Sequence, residues 1–427
     1  MKVRHLAAAA LTAALAIAVT GCQKDSTGDK GSGSEPSTLT VWLMKGSAPD
    51  DLINAVNKDF ESTHKGVKVK IELQEWADIT TKTTTALAGN TAPDVLEIGN
   101  SLTAGFAAPG GLKDLTDKKA DLGGGDWIKG LADSGTVGDK VYGVPYYAST
   151  RVLLYRKDLF TAAGIAAPPK TIDELLADGT KLKAKNKAAD FSTLTCPGKY
   201  WYFGTSFVYA NGGSLATNTG GQWKGNLSSP ESQKGLAQWK DVCSKLSTYP
   251  KANDEANPPQ VNQLGTGKAA SSYDAGWQTG VIAKDKPALK DQIGIAAFPG
   301  LTADTALPAF LGGSNLAIAA TTKSPNNAYD YLKLLSGTKY QTQFFQESKV
   351  LPNTNALLTA ASADPAIKPV ADAAKAGWFT PSNAHWSEVE QSNALQDMFV
   401  NILTGKKSTA DAAKAADDVI TQTLNKK

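Results

Sequence analysis

The chain has 427 residues, 20% of them charged and 41% hydrophobic, with a formal charge of +3. That length exceeds one ordinary core, so two lobes are expected, and the composition is that of a folded protein rather than a disordered one. Two of the cations, Lys2 and Arg4, stand at the very start, and no basic run is interleaved with aromatics, which excludes nucleic-acid binding.

In chain order, Lys2 and Arg4 precede an apolar, Ala-rich stretch over 6–19 that is too short to span a bilayer comfortably. It ends at Val19-Thr20-Gly21-Cys22, which resembles a bacterial lipobox. Residues 1–21 therefore read as a lipoprotein signal peptide and Cys22 as the acylated residue. Each buried methylene of such an anchor adds roughly 0.8 kcal/mol of membrane affinity. No other stretch reaches about eighteen unbroken apolar residues, so the body is expected outside the bilayer, tethered to the outer face of the cell membrane. Residues 22–37, rich in Gly, Ser, Lys and Asp, read as a flexible linker.

Leu39-Thr40-Val41-Trp42-Leu43 opens the folded part as a strand. Asp50 or Asp51 caps a helix with Leu52, Val56 and Phe60 on one face. Val67, Val69, Ile71 and Leu73 alternate as a second strand, a helix follows from about Trp76 to Leu87, and Asp94 to Ile98 is a third strand. Strands alternating with helices imply a mostly parallel sheet covered on both faces. Ligands meet such sheets at the carboxyl ends of strands, here the loops starting at Met44-Lys45, Gln74-Glu75-Trp76 and Gly99-Asn100.

Residues 141–160, VYGVPYYASTRVLLYRKDLF, combine turn signals with the short apolar strand Val152-Leu153-Leu154-Tyr155. Thr171 and Glu174 form a capping box, and Ser229-Pro230 opens a helix to Leu246. Residues 293–299 read as a return crossing, Gly312-Gly313-Ser314-Asn315 precedes the strand Leu316 to Ala319, and helices run from Pro325 except for a loop over 351–381. Three crossings make two discontinuous lobes about a shared hinge: 38–148 with 299–325, and 149–298 with 326–427.

Cys196 and Cys243 read either as a disulfide, which an exported location permits, or as two free buried thiols. Bridging them would stabilise by about 4 kcal/mol in the chain-entropy model. His64 and His385 share no metal-ligand spacing with them, so no metal is expected. Gly312 to Leu316 fails the last position of G-x-S-x-G. Gly265-Thr266-Gly267-Lys268-Ala269 lacks the upstream glycine and the Ser/Thr of a phosphate loop. No local pattern singles out the paired carboxylates of a glycosidase. The chain thus reads as a non-enzyme without a cofactor, a surface glycoside hydrolase being the competing class.

Sugars offer apolar C–H faces ringed by hydroxyls, so a site needs flat side chains with directional polar groups around them. Nine tryptophans are available. Trp277 lies in SYDAGW, Trp201 and Tyr202 in GKYWYFGTSFVYANGG, Trp386 in AHWSEVEQSNALQDM, and Trp378 just upstream. These segments, with the order PYY…LLYRKDLF, resemble the extracellular solute-binding proteins of carbohydrate ABC importers. The resemblance implies an α/β, two-lobed periplasmic-binding-protein-like fold. Such a receptor is a monomer that captures an oligosaccharide between its lobes and delivers it to a permease served by a separate ATPase. It implies stacking by Trp277 and Trp386, stacking or packing by Trp378, and a cleft-facing ring at either Trp201 or Tyr202. Asn100, Gly313, Ser314 and Asn315 form the implied polar rim, with Lys45 either joining it or solvated. Tyr146 would bind sugar or close the hinge, and Arg151 would meet a carboxylate or a ligand oxygen. LEIGN and GGSNLAIAA most resemble actinobacterial receptors for β-linked disaccharides such as chitobiose, xylobiose or cellobiose. A receptor of the same fold for a peptide, polyamine or metal ion is the remaining alternative.

Overall fold

Among the described residues the strands are β1 Thr38–Met44, β2 Lys68–Gln74, β3 Val95–Gly99, β4 Thr136–Val137, β5 Lys140–Val141, β6 Val144–Arg156, β7 Ala216–Thr219, β8 Gln222–Gly225, β9 Ser271–Ala275, β10 Ile293–Ala296 and β11 Leu311–Ile318. The computed structural model describes residues 35–426 except 77, 90, 257, 258, 349, 366 and 376. The expected signal peptide, Cys22 and most of the linker lie outside the described residues.

Seven strands form one sheet in the order β10-β6-β11-β3-β1-β2, with β9 also paired to β6. β1 pairs in parallel with β2 and β3, and β11 then joins β3 antiparallel, so the sheet is mixed rather than mostly parallel. The period-2 alternation of β1 decides its two faces. Leu39, Val41 and Leu43 bury against the helix Asp50–Thr63, while Trp42 turns to the other face with Leu96, Ile98 and Phe106. Each such aliphatic side chain contributes about 1.5–3 kcal/mol on full burial.

β6 is long because it serves two neighbourhoods. Its residues Val144 to Thr150 pair with β11, whereas Arg151 to Arg156 pair with β9 and β10. The aromatic core around Trp239, Phe203, Tyr273, Phe298 and Phe399 lies on the second side. Thr171 accepts from the Glu174 N–H and Ser229 from the Ser232 N–H, so both expected caps form. Cys196 and Cys243 are joined in a disulfide, their Cα atoms 5.6 Å apart, between the segment before helix Trp201–Ala210 and helix Pro230–Leu246.

The segment boundaries expected near 299 and 325 do not follow the packing. Gly300 pairs with Lys170 and Ile172, and Leu307 and Phe310 enter the core around Trp239, so residues 299–310 pack on the second side. Helices Pro325–Ser336 and Thr338–Ser348 instead pack on the first. The Tyr331 hydroxyl donates to Asn57 Oδ1 (2.8 Å), the Tyr340 hydroxyl to Ala55 O (3.2 Å), and Lys339 pairs with Asp59 (2.8 Å). An amphipathic pattern tells that Tyr331, Leu332 and Leu335 face inward, but not which sheet receives them. The presumed loop 351–381 also carries helices Asn355–Ala361, capped by Thr354, and Lys368–Lys375.

Candidate functional site

The carboxyl ends of β1, β2 and β3 lie at one edge of the sheet, as their parallel pairing requires. Asn100, next after β3, is buried and donates through Nδ2 to Leu311 O (3.1 Å). A cavity of about 190 Å³ lies beside it, between Asn100, Ser101, Gly130 and Ser134 on one wall and Phe379 and Asn383 on the other. The walls touch closely. A Cβ at Gly105 would meet Ala384 O at 3.2 Å, and one at Gly130 would meet the Phe379 ring at 1.9 Å. A larger surface hollow, about 440 Å³, is bounded by 164–181 and contains none of the expected site residues.

Trp378, the residue before Phe379, belongs to an aromatic cluster. Tyr202 stacks on Phe310 with centroids 4.2 Å apart and planes 14° apart, and Trp201 leans on Tyr202 at 4.1 Å. Trp378 stacks on Tyr209 and donates to Ser206 Oγ (3.1 Å). Trp386 donates to Glu390 Oε1 (2.8 Å). Trp201, Trp378 and Trp386 are all buried in one cluster, while Tyr202 remains half-buried. Helix Trp201–Ala210 begins at the aromatic run instead of after it, which is why Trp201 turns into the core and Tyr202 outward.

Arg151 occupies the point where β6 passes between neighbourhoods. Its Nε donates to the Tyr200 hydroxyl (3.1 Å), and its guanidinium carbon lies 5.2 Å from the Tyr202 ring and 5.1 Å from Phe310. Gly312 leaves the necessary room, since a Cβ there would meet Arg151 Nη1 at 2.7 Å. The carboxylate expected beside Arg151 is not in direct contact; Glu255 and Asp274 act on it through space. Burial pushes Asp274 up to about 7, with the Ala275 N–H and Arg151 pulling it back. Burial also pushes Glu390 up to about 7, against the hydrogen bond from Trp386. The sequence did not single out Glu255 or Phe310, which belong to no local motif, nor Asp274 and Glu390, which lie inside SYDAGW and AHWSEVEQSNALQDM but acquire their character only from enclosure in the fold.

A carboxyl raised this way keeps its proton in the folded chain where the unfolded chain has lost it, so its contribution is complete below about pH 4 and is lost as pH rises to about 7. Melting curves should therefore show Asp274→Asn losing less stability than the parent across that window. Parallel Tm–pH curves for the two proteins would refute this.

Several expected rim residues are already engaged. Ser314 and Asn315 have no exposure, because β11 is covered on both faces and flanked by β3 and β6. Ser314 donates to Glu97 Oε1 (2.7 Å), and Asn315 donates to Thr103 Oγ1 (2.9 Å). Gly313, at φ +137°, lies so close to Tyr147 O (2.1 Å from an added Cβ) that it has no side-chain space. Tyr146 is sealed in the core, its ring 5.1 Å from Phe344, so its burial speaks against the sugar-binding alternative and leaves that of closing the hinge. Lys45 is exposed and pairs with Glu75 (2.7 Å). Trp277 is 43% exposed, two residues beyond Ala275, the β9 partner of Arg151. Trp76, 46% exposed, rests against Gly99; its loop is expected from the sequence, the indole itself is not. Trp42, Trp127 and Trp239 are structural, each buried in a core.

The family described as bacterial extracellular solute-binding protein matches residues 45–342. The diacetylchitobiose binding protein DasA of Streptomyces coelicolor is 37% identical, over 97% of this chain and 97% of its own length. Among solved structures, the GacH receptor of Streptomyces glaucescens, studied unliganded and with acarbose, superposes with a TM-score of 0.80 at 24% identity, covering 91% of this chain and 98% of that one. An ABC transporter solute-binding protein from Thermotoga lettingae, bound with α-D-tagatose, gives 0.79 at 23% identity, with 91% and 100% covered. Both likenesses establish the two-lobed fold.

Proposed function

This chain belongs to the bacterial extracellular solute-binding proteins, binding components of transporters rather than enzymes, and from that premise we propose that it captures N,N′-diacetylchitobiose for an ABC permease. The observation that carries the sugar is the 37% identity, end to end, with a diacetylchitobiose binding protein. The geometry supports it: the half-buried Tyr202 ring, backed by Phe310, and the exposed Trp277 indole are flat apolar groups, with Arg151, Asn100 and Glu390 as directional polar groups. No sulfate- or phosphate-selective cluster of cations accompanies them among the described residues. On this reading the chain is a monomer held at the membrane through lipid on Cys22.

The cavity of about 190 Å³ is smaller than the roughly 300–1,000 Å³ of ordinary ligand pockets. A disaccharide therefore extends beyond this cavity: it enters while the wall carrying Phe379 stands away from the helix Lys129–Ser134, and the walls then close beside it with Gly130 and Phe379 again in contact. Contacts made to both walls then shift the population toward closure.

A thermal-shift and calorimetry series with diacetylchitobiose, xylobiose, cellobiose and maltose tests the assignment. Diacetylchitobiose at a hundred times its Kd should stabilise by about 2.7 kcal/mol. A shift with another disaccharide and none with diacetylchitobiose would overturn the choice of sugar. Trp277→Ala should weaken binding about tenfold, equivalent to about 1.4 kcal/mol, and leave the unliganded Tm nearly unchanged, since its indole is exposed. Unaltered affinity by titration calorimetry would remove Trp277 from the site.

A further inference from the structure

Glu97 on β3 is a carboxylate without a cation. It is buried, and among the described residues it enters no ion pair. Its Oε2 accepts from the Met44 N–H (2.9 Å) and from Ser47 Oγ (2.7 Å), and its Oε1 accepts from Ser314 Oγ (2.7 Å). The Tyr147 phenol adjoins the same carboxylate and lies 3.5 Å from Ser314 Oγ. These donors come from the end of β1, the loop after it, β11 and β6. A carboxylate that only hydrogen bonds hold in a core is a costlier filling than an aliphatic side chain, so its specific geometry calls for an explanation.

The place it grips is irregular. The β11–β6 register shifts between Ser314 and Asn315, directly after Gly313 with its positive φ. Bulges bend a strand and mark where its direction is set. Beyond this point the same two strands leave the β1–β3 neighbourhood, and Arg151 follows within a few residues.

We propose that Glu97 is a positioning residue that fastens the first strand-end loop, 44–47, to the two crossing strands at their bulge, and so fixes the angle at which the lobes stand and the loop meets the sugar. The loop's contact with sugar rests on the function proposed above; the lobe angle does not.

Glu97→Gln turns one acceptor oxygen into a donor amide, and Ser314→Ala removes only the donor on the crossing strand. In the full chain, small-angle scattering without sugar should show a changed radius of gyration for both variants, with circular dichroism unchanged. Diacetylchitobiose affinity should fall about tenfold for each, and the double variant should be no worse than Glu97→Gln alone, because one bond is being removed twice. Ser47→Ala should weaken affinity while leaving the scattering as in the parent. If Glu97→Gln and Ser314→Ala lower Tm but scatter as the parent does, Glu97 is only a core polar group and the proposal fails. Should Glu97→Gln not fold, Ser314→Ala decides alone. If the parent ignores the sugar, the sugar assignment fails while the sugar-free scattering still judges Glu97.

Discussion

Replacing Arg151 with methionine should weaken sugar binding by at least two orders of magnitude and lower stability by about 3 kcal/mol. The guanidinium faces two rings, Tyr202 and Phe310, at 5.2 and 5.1 Å, and its Nε donates to the Tyr200 hydroxyl. A desolvated cation–π contact is worth about 2 kcal/mol, and a hydrogen bond from a charged group about 1.5–3 kcal/mol. Methionine keeps most of the side-chain volume, so a cavity adds little. The change also strips Asp274 and Glu255 of a positive charge that favours their ionised forms, pushing both further upward. Arg151→Lys separates the two roles of this side chain. Lysine restores the charge without the planar group that lies over both rings, so it should recover stability better than affinity. Calorimetry and urea unfolding on the three proteins would measure this, and parent-like affinity in Arg151→Met would remove the guanidinium from the sugar site.

How far this site could be read from the sequence follows from what kind of signal each residue carries. The strands β1, β2 and β3 and the caps at Thr171 and Ser229 are local: alternation and hydrogen-bonding side chains act within a few residues, and the structure has them. The crossing strand was legible as well, because turn signals, Pro145 and the run Val152 to Tyr155 all sit in one stretch. What the sequence could not say is which partner a buried face would choose. Helix Pro325–Ser336 has an apolar face that fits either neighbourhood, and Asn57, Asp59 and Tyr340 settle it through contacts hundreds of positions apart. The same limit hides the carboxylates. Asp274, Glu255 and Glu390 acquire their character from enclosure around Arg151 and Trp386, a property of the assembled fold. The motif GGSN shows the converse error. Its residues are as special as their pattern suggests, but Gly312 makes room for a guanidinium, and Ser314 and Asn315 serve internal hydrogen bonds.

Gly130→Ala should hold the lobes apart and weaken sugar binding between ten- and a hundredfold without unfolding either lobe. A Cβ there would lie 1.9 Å from Phe379 Cε2 and 2.1 Å from Cζ, far inside van der Waals contact. Gly130 belongs to helix Lys129–Ser134 on one wall of the cavity, and Phe379 follows Trp378 on the other. Alanine is the better helix former, by at most about 0.8–1 kcal/mol, and the sugar-free protein relieves the clash by standing open, so its stability should change little. The cost falls on the closed form alone. A closure equilibrium displaced by about 1.4–2.8 kcal/mol reduces apparent affinity by that same ten- to hundredfold. Because the obstacle is the far end of a side chain, Phe379→Ala should remove it: the double variant Gly130→Ala with Phe379→Ala should bind more tightly than Gly130→Ala alone. That reversal is a coupling a merely local defect in the helix would not show. Titration calorimetry on the four proteins of the cycle reads it directly. Additive losses would mean that the two walls do not close on each other during binding, and the hinge-closing mechanism would lose its main geometric support.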